Sequence, residues 1–202
     1  MWSSAKPAQP IRRTGLITKS DREVPVAIVG GGASGTILAA QLARRGIANV
    51  LIDGSGRAGH GIAYSTTEPA HLLNVRAEGM SAWAGDPDHF ARRFEAEGGD
   101  RRGFAERRLF GRYLRDMLEA AVDSGRTAVE QSTALSTTRT GEGWRIELDN
   151  GVTLTAGALV LAIGNQEPEP IHGFAEAGDH YINYPWGAQA RAAVRELAES
   201  GG

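Results

Sequence analysis

Hydrophobic and polar positions follow a clear order in the stretch from about residue 24 to residue 53. An apolar run from Val26 to Val29 leads into a glycine-rich turn, and apolar residues then recur at helical spacing from Ile37 to Ala43. Gly46 is placed to end that helix, and a second apolar run follows from Asn49 to Ile52. This order predicts a strand, a helix and a second strand, the βαβ unit that builds parallel sheets.

The glycine turn has a spacing that suits a dinucleotide. It reads Gly30-Gly31-Gly32-Ala33-Ser34-Gly35, which is G-x-G-x-x-G between a predicted strand and a predicted helix. Gly30 would allow the tight turn, Gly32 would let a pyrophosphate approach the backbone, and Gly35 would let the helix pack against the strand. The free N–H groups at the start of the helix would face the phosphates.

A carboxylate ends the second predicted strand. Asp53 lies 23 residues beyond Gly30, close to the spacing at which an acid accepts hydrogen bonds from a ribose 2′-hydroxyl. An acid at this position disfavours a 2′-phosphate, so we expect FAD or NAD rather than NADP at the first site.

The middle of the chain predicts helices after a loop. The glycine-rich stretch 54–64 sustains no helical pattern, and residues 67–84 alternate small, polar and apolar residues like a segment that lines a site. Asp86 as N-cap and Pro87 at the first helical position predict a helix that runs to Gly98. Helical spacing from Arg107 to Ser124 predicts a longer, core-forming helix.

Beyond that helix the pattern becomes alternating. Thr127 to Leu135, Trp144 to Leu148 and Val152 to Thr155 are predicted strands, and Asp149-Asn150-Gly151 has the composition of a hairpin turn. Ala158 to Asn165 is predicted as another buried strand. The order is βαβ, helical insertion, antiparallel meander and returning strand. It indicates an α/β, Rossmann-like domain of the kind found in two-dinucleotide flavoproteins.

Composition excludes several classes of function. The 202-residue chain has a net charge of −2, which disfavours general binding to nucleic acid, and it has no cysteine for disulfides or thiolate chemistry. No apolar run reaches the length of a membrane helix, so no membrane partner and a cytoplasmic location are expected. Because the histidines lack metal-ligand spacing, no metal site is predicted.

Several motifs together resemble a known family. They are GGGASGT (30–36), GHGIAYS (59–65), HLLNVRAEGMSAW (71–83), DPDHF (86–90), RLFGRYL (108–114), LAIGN (161–165) and YINYPW (181–186). In order and spacing the chain is similar to the FAD/NAD(P)-binding domain of the flavoprotein family that includes a FAD-dependent urate hydroxylase and an aspartate N-monooxygenase. The resemblance implies an oxidoreductase of monooxygenase type that uses FAD, with NAD(P)H as the reductant in a full-length or partnered form.

The resemblance also implies the positions that contact the cofactor. The glycine turn would hold the FAD pyrophosphate and Asp53 the adenosine ribose. Four residues of the 59–83 motifs would lie towards the flavin, and Ala134 would place its backbone near the adenine. The predicted cofactor-binding residues are therefore Gly30, Gly32, Ala33, Ser34, Gly35, Asp53, Gly61, His71, Asn74, Met80, Ala134 and Gly164. No catalytic acid or base is predicted.

The chain departs from the family pattern in places. Asp53 stands where members usually carry Glu, and Ala162-Ile163-Gly164-Asn165 replaces the common A-T-G-N. Members are also expected to continue after the Pro-Trp motif with a second glycine fingerprint for NAD(P)H, whereas here residues 188–199 predict a helix. We therefore expect a flexible tail at 1–22, a FAD/NAD(P)-binding domain at 23–187 and a C-terminal helix or tail at 188–202.

Three functional alternatives follow from the sequence. The first is an FAD-binding domain that is incomplete for turnover alone, with a partner chain that supplies the NAD(P)H-binding part. The second is an NAD-binding dehydrogenase or reductase, which the meander and the returning strand disfavour. The third is a non-catalytic nucleotide-binding module that needs a partner, because a fold does not by itself fix a function.

Overall fold

The computed structural model describes residues 22–165, 168–185 and 187–199. Most of the predicted N-terminal tail, Trp186 of the YINYPW motif and the last three residues lie outside the described residues. The chain divides into two compact units, with the boundary between Gly164 and Asn165. The first unit carries the predicted βαβ unit, the helical insertion and the meander.

Six strands form one sheet in the first unit. They are β1 (Arg22–Val29), β2 (Asn49–Ile52), β3 (Thr127–Glu130), β4 (Ala134–Thr140), β5 (Gly143–Leu148) and β6 (Thr153–Leu161). Their order across the sheet is β3-β2-β1-β6-β5-β4. β3, β2, β1 and β6 run parallel, and β5 and β4 extend the sheet as antiparallel neighbours. The predicted α/β, Rossmann-like fold is confirmed.

β1 lies in the middle of the parallel part. It pairs with β2 on one side and β6 on the other, so that Val29 stands opposite both Ile52 and Leu161. Ala27 and Ile28 point to opposite faces of the sheet and are both fully buried, each in a different hydrophobic cluster. Because the three strands end level with one another, the loops that follow them meet at one edge of the sheet.

Helices cover one face of the sheet. They are α1 (Ala33–Arg44), α2 (Gly61–Tyr64), α3 (His89–Ala96) and α4 (Arg107–Asp123), with a 3₁₀ turn at Ala77–Gly79. Ile28 and Leu51 of the sheet form one cluster with Ala39 of α1 and Leu118 of α4. α1 and α4 therefore pack side by side on the parallel strands.

An aromatic cluster ties α3 to α4. The ring centroids of Phe90, Phe110 and Tyr113 lie 5.0 to 5.4 Å apart, in tilted or edge-on pairs that aromatic rings favour. Phe90 is fully buried and Tyr113 nearly so. The periodicity from Arg107 to Ser124 thus gives a core helix, as predicted.

The start of α3 differs from the prediction. The helix begins at His89, and Asp88 rather than Asp86 precedes it, without a side-chain capping bond. The carboxylate of Asp86 instead binds both terminal nitrogens of Arg92, at 3.0 and 2.6 Å. The Asp86 carboxylate is thus held by Arg92 and does not cap the helix. The helix also ends earlier than predicted, at Ala96, and Gly98 follows with φ +87°.

The strand boundaries also differ from the prediction. The single strand expected from Thr127 to Leu135 is two strands, because β3 pairs with β2 whereas β4 pairs with β5 at the far edge. Conversely, the strands expected at 152–155 and 158–165 are one strand, β6, which runs through Gly157. The second half of β6 is partly exposed rather than buried. The loop 54–64 also contains the single helical turn α2, which the pattern did not predict.

The second unit contains little regular structure. It has a 3₁₀ segment at Ala175–His180 and the helix α5 (Ala188–Glu199), which confirms the helix predicted there. The hydroxyl of Tyr181 accepts from the Ile171 N–H at 3.1 Å and donates to Asn183 at 2.9 Å. Asn183 in turn donates to the Pro168 carbonyl at 2.8 Å, so the YINYPW motif is tied to the start of its own unit.

Truncation of a buried side chain of α4 tests this packing. Leu114 is fully buried in the cluster that includes Phe90 and Phe110, so Leu114→Ala should lower the free energy of unfolding by about 2–5 kcal/mol through loss of contacts and an unfilled cavity. Arg112→Ala, on the exposed side of the same helix, should change it far less. Chemical denaturation measures both, and equal effects would contradict the assigned core face.

Candidate functional site

The candidate site lies at the edge where the parallel strands end. The Gly30 N–H donates to the Ile52 carbonyl at 2.8 Å, and the Ala162 N–H donates to the Val29 carbonyl at 2.7 Å. These bonds continue the strand pairing by one residue into the loops. The glycine turn, Asp53 and residues 162–164 are therefore held side by side. In open α/β sheets, ligands bind at this edge, where neighbouring connections leave in opposite directions.

Two glycines of the turn are required by the fold itself. Gly30 has φ +108°, and a Cβ there would overlap the carbonyl oxygen of Ala162. A Cβ on Gly35 would overlap the Gly30 carbonyl oxygen and approach the Leu51 side chain to 3.3 Å. Both positions have the conformations and close contacts that the sequence motif predicted for them.

Gly32 is different, because the fold does not require a glycine there. Its backbone, at φ −69° and ψ −171°, is extended and suits any residue. The nearest described atom to a Cβ on Gly32 would be the Gly61 Cα at 3.6 Å, an ordinary contact distance. The space beside Gly32 is thus one that a side chain would partly fill and that the protein leaves open. A pyrophosphate lying against the backbone would use that space.

The start of α1 offers hydrogen-bond donors to this space. The first bond within the helix runs from the Thr36 N–H to the Gly32 carbonyl at 2.9 Å, so the N–H groups of Ala33, Ser34 and Gly35 have no acceptor inside the helix. No side chain caps the helix, and no acid lies in its first turn. The partial positive charge of this helix end is therefore available to an anionic ligand.

Asp53 is fixed against the glycine turn. One carboxylate oxygen accepts from the Gly31 N–H at 2.8 Å, and the other accepts from the Ser55 N–H at 2.8 Å and from the Ser55 hydroxyl. Each carboxylate oxygen accepts about two hydrogen bonds, so the Gly31-bound oxygen keeps capacity for a ribose hydroxyl. A Cβ on Gly31 would overlap this same oxygen.

The sequence analysis missed the roles of Gly31 and Ser55. The signal for Gly31 was present: three glycines stand in a row where the dinucleotide pattern requires only the first and third. Ser55 gave no comparable signal, because a serine two residues after a strand is common in turns. Its contact with Asp53 depends on the local path of the loop.

The loop after Asp53 closes over the glycine turn. The Gly59 N–H donates to the Gly31 carbonyl at 2.8 Å, and Gly61 has φ +61° with its Cα beside Gly32. Gly61 is therefore brought to the predicted site. Burial, and after it the charge of Arg115, lowers the pKa of the neighbouring His60, so its imidazole is neutral at pH 7.

The same loop shows why spacing alone is a weak signal. Residues 54–59 read Gly-Ser-Gly-Arg-Ala-Gly, which also spells G-x-G-x-x-G. Only the four-residue helix α2 follows, so these letters present no sustained helix end to a phosphate. The pattern has its physical meaning only between a strand and a full helix.

Ala134 and Gly164 also lie close to this edge in the fold. Ala134 begins β4 directly after Thr133. The Thr133 hydroxyl oxygen lies so close to Gly54 that a Cβ on Gly54 would overlap it. Asp149 holds this loop, because it accepts from the Ser132 hydroxyl and from the Thr133 N–H at 3.0 Å. Those bonds keep the pKa of Asp149 below its ordinary value. Gly164, with φ +68°, follows two residues after the Ala162 that packs on Gly30.

The remaining three predicted residues lie on the 65–84 segment. His71 is exposed and its ring shares a hydrogen bond with the Thr66 hydroxyl at 2.8 Å. Asn74 is also exposed, whereas Met80 is partly buried against the aromatic cluster. Their hydrogen bonds and packing contacts lie within their own segment and with α4, so a flavin contact for them stays a prediction.

The part of the chain that the structure describes has neither a metal-binding cluster nor a membrane-spanning helix. Within residues 22–165, 168–185 and 187–199, no group of three or more His, Asp or Glu side chains is arranged to hold a metal ion. Across the same residues, no helix has both the length and the apolar character needed to cross a membrane.

Comparison with protein families identifies the fold and its cofactor. The sequence matches the family described as FAD-NAD(P)-binding over residues 27–166, which is more than half of the chain. The protein belongs to this FAD/NAD(P)-binding family. Its cofactor is accordingly of the FAD/NAD(P) class that this family binds. No curated protein sequence shows significant similarity to the chain.

Solved structures share the fold at low sequence identity. A flavin-containing monooxygenase from Stenotrophomonas maltophilia is 22% identical, with a TM-score of 0.52, 70% of this chain covered and 38% of that one. A closed structure of cyclohexanone monooxygenase is 15% identical, with a TM-score of 0.54, and the match covers 75% of this chain and 28% of that one. A structure of OTEMO in complex with FAD and NADP is 18% identical, with a TM-score of 0.54, and the match covers 75% of this chain and 28% of that one. The chain thus spans less than two fifths of each of these structures.

Alanine substitutions separate the structural glycines from the open one. Gly35→Ala should destabilise the protein by about 1–3 kcal/mol or more, because its methyl group meets backbone that cannot move aside. Gly32→Ala should change stability by less than about 0.5 kcal/mol, because its methyl group enters open space. Thermal unfolding of the two variants without added cofactor provides the measurement. A large loss of stability in Gly32→Ala would mean that the fold, and not a ligand, requires this glycine.

Proposed function

We propose that the chain is the FAD-binding part of a flavin-dependent oxidoreductase of monooxygenase type. The observation that carries this proposal is the open space beside Gly32, which the fold does not need and which faces uncapped N–H groups of α1. A second support is Asp53, fixed at the end of β2 where an adenosine ribose would lie. The names of two similar structures, a flavin-containing monooxygenase and cyclohexanone monooxygenase, favour the monooxygenase type.

The residues at the strand edge would bind and orient the cofactor. The N–H groups of Ala33 and Ser34 would donate to the pyrophosphate, and the Asp53 carboxylate would accept from the ribose. Gly61 would border the same space without a side chain that blocks it. Bound FAD would supply the redox chemistry, with NAD(P)H as its source of electrons. The protein groups would position it, and none is assigned as a catalytic acid or base.

The acid at the end of β2 also bears on which dinucleotide binds. A carboxylate accepts hydrogen bonds from free ribose hydroxyls and repels a 2′-phosphate, so NADP is disfavoured at this site. The proposal assigns the site to FAD rather than NAD. It also places the protein in the cytoplasm, where an NAD(P)H-dependent oxidoreductase would meet its reductant.

Cofactor content tests the proposal directly. The purified chain should carry or take up FAD, detected by flavin absorption and by analysis of the released cofactor. Gly32→Val should abolish this uptake, because its side chain would occupy the space for the pyrophosphate. The unfolding temperature of the variant without cofactor should match wild type, which confirms that it is folded. Uptake of FAD by a folded Gly32→Val variant, or specific binding of NAD in place of FAD, would overturn the assignment.

Substitution of Asp53 tests the ribose contact. Asp53→Ala should remove a charge-assisted hydrogen bond of about 1.5–3 kcal/mol, and so weaken FAD binding roughly ten- to a hundredfold. Asp53→Glu introduces the residue that is usual at this position in the family that the chain resembles. This variant should bind FAD as well as wild type or better. Fluorescence titration with FAD gives the affinities.

Ser55→Ala is the matched control for that substitution. It removes the hydroxyl that binds Asp53 but leaves the carboxylate and its bond to Gly31. FAD affinity should therefore be kept or slightly improved. If Asp53→Ala binds FAD like wild type, the carboxylate serves only the glycine turn.

A further inference from the structure

A second concave surface lies on the helical layer, away from the strand edge. It is a cleft of about 540 Å³ between the C-terminal half of α1, the Trp83–His89 segment and α4. We call it the α1–α4 cleft, and Ala40, Ala43, Trp83, His89, Met117 and Ala120 are among its lining residues. Ala43 is ten residues along α1 from Ala33, or about 15 Å at 1.5 Å per residue. The cleft is therefore distinct from the proposed FAD site.

The cleft exists because small residues face one another. Ala40 and Ala43 of α1 stand opposite Ala120 and Ala121 of α4, where longer side chains would fill the groove between the helices. Trp83 and the buried Met117 give the walls their apolar character. The volume is within the range of about 300–1,000 Å³ that is typical of small-molecule sites.

The wall that carries Trp83 is held in place by hydrogen bonds. The Gln41 side chain donates to the Ala82 carbonyl at 2.8 Å and joins this segment to α1. The Asp86 N–H donates to the Trp83 carbonyl at 3.0 Å, and the Ser81 hydroxyl donates to the Asp86 carbonyl at 2.6 Å. The backbone that carries Trp83 is therefore set in position before any ligand binds, which lowers the entropic cost of binding.

The inner polar groups of the cleft are neutral. His89 Nδ1 and the Tyr113 hydroxyl share a hydrogen bond of 3.0 Å. Burial lowers the pKa of His89 and raises the pKa of Tyr113, so both are uncharged at pH 7. The pair adds polarity without adding charge to the apolar interior.

The mouth of the cleft carries two arginines, Arg44 and Arg93, and two acids, Asp86 and Asp116. Asp86 is neutralised by Arg92, and Asp116 by Arg93, in ion pairs. Arg44 is exposed and stacks over the Trp83 ring, with its guanidinium carbon 4.9 Å from the ring centroid. Among the ion pairs of the described residues, none involves Arg44. Its positive charge is therefore available to an anion that enters beside Trp83.

We propose that the α1–α4 cleft binds a small organic carboxylate with an apolar, preferably aromatic, body. The body of the ligand would lie on the alanines and against Trp83, and its carboxylate would meet Arg44. An apolar pocket whose mouth carries two paired acids and one positive charge outside the ion pairs favours such a molecule over a polyanion or a cation. This site is independent of the FAD site, so either assignment can fail without the other.

The experiment uses 3-phenylpropionate as the probe and 3-phenylpropionamide as its neutral control. The two have the same shape and differ in charge. Titration of the full chain, followed through the indole N–H signal of Trp83 by NMR, gives both affinities. The acid should bind about tenfold more tightly than the amide. Equal affinities, or no saturable shift of the Trp83 signal with the acid, would overturn the proposal.

Variants then assign the contact. Arg44→Gln should weaken acid binding about tenfold, to the level of the amide, and leave amide binding unchanged. Arg44→Lys should restore most of the difference in affinity between the acid and the amide. Arg126→Gln removes an exposed arginine outside the lining and should have no effect. Acid binding that is unchanged in Arg44→Gln would contradict the assigned charge contact.

A steric variant distinguishes a small ligand from a protein partner. Ala120 is exposed in the cleft, so Ala120→Leu should block both probes and leave the unfolding temperature unchanged. Analytical ultracentrifugation should show the same mass for this variant and for wild type. If wild type self-associates and Ala120→Leu alone abolishes it, the cleft is an interface between copies of the chain and the proposal is wrong.

Discussion

The close approach of α1 to the end of β1 is the constraint on which the site depends. Gly35 lies so near the carbonyl group of Gly30 that a single methyl group would not fit between them. This contact fixes where the helix begins relative to the sheet. It therefore also fixes where the free N–H groups of Ala33 and Ser34 point, before any cofactor is present. Such preorganised donors bind an anion without a further cost of ordering the backbone.

Asp53 stabilises the same arrangement from the neighbouring strand. Its carboxylate is the acceptor for the Gly31 N–H, a backbone group that would otherwise be buried without a partner. One side chain thus serves the fold of the turn and, in the proposed function, the ribose. The Asp53 side chain is long enough to reach the Gly31 N–H, so a residue that is unusual in the resembled family remains compatible with the fold of the turn.

α1 connects the two regions to which we assign ligands. Its first turn borders the strand edge, and its last turns, with Ala43 and Arg44, border the α1–α4 cleft. Small residues serve both ends, though for different reasons. Glycines at the first turn allow the backbone of the sheet to come close to the helix, whereas alanines near the last turn leave space between two helices. The aromatic cluster around Phe90 holds α3 and α4 together and so preserves the wall of the cleft.

Local sequence determined the βαβ unit, the long helix α4 and the class of cofactor, because periodicity and glycine spacing act over a few residues. Tertiary structure decided the rest. Thr127 to Leu135 is continuous in pattern but splits because its two halves pair with β2 and β5, strands that lie far apart in the sheet. The bond from Gly31 to Asp53 and the cleft beside Trp83 likewise join residues more than twenty positions apart. The spacing from the glycine turn to Asp53 follows the dinucleotide pattern, but neither this bond nor the cleft exists until folding brings the residues together.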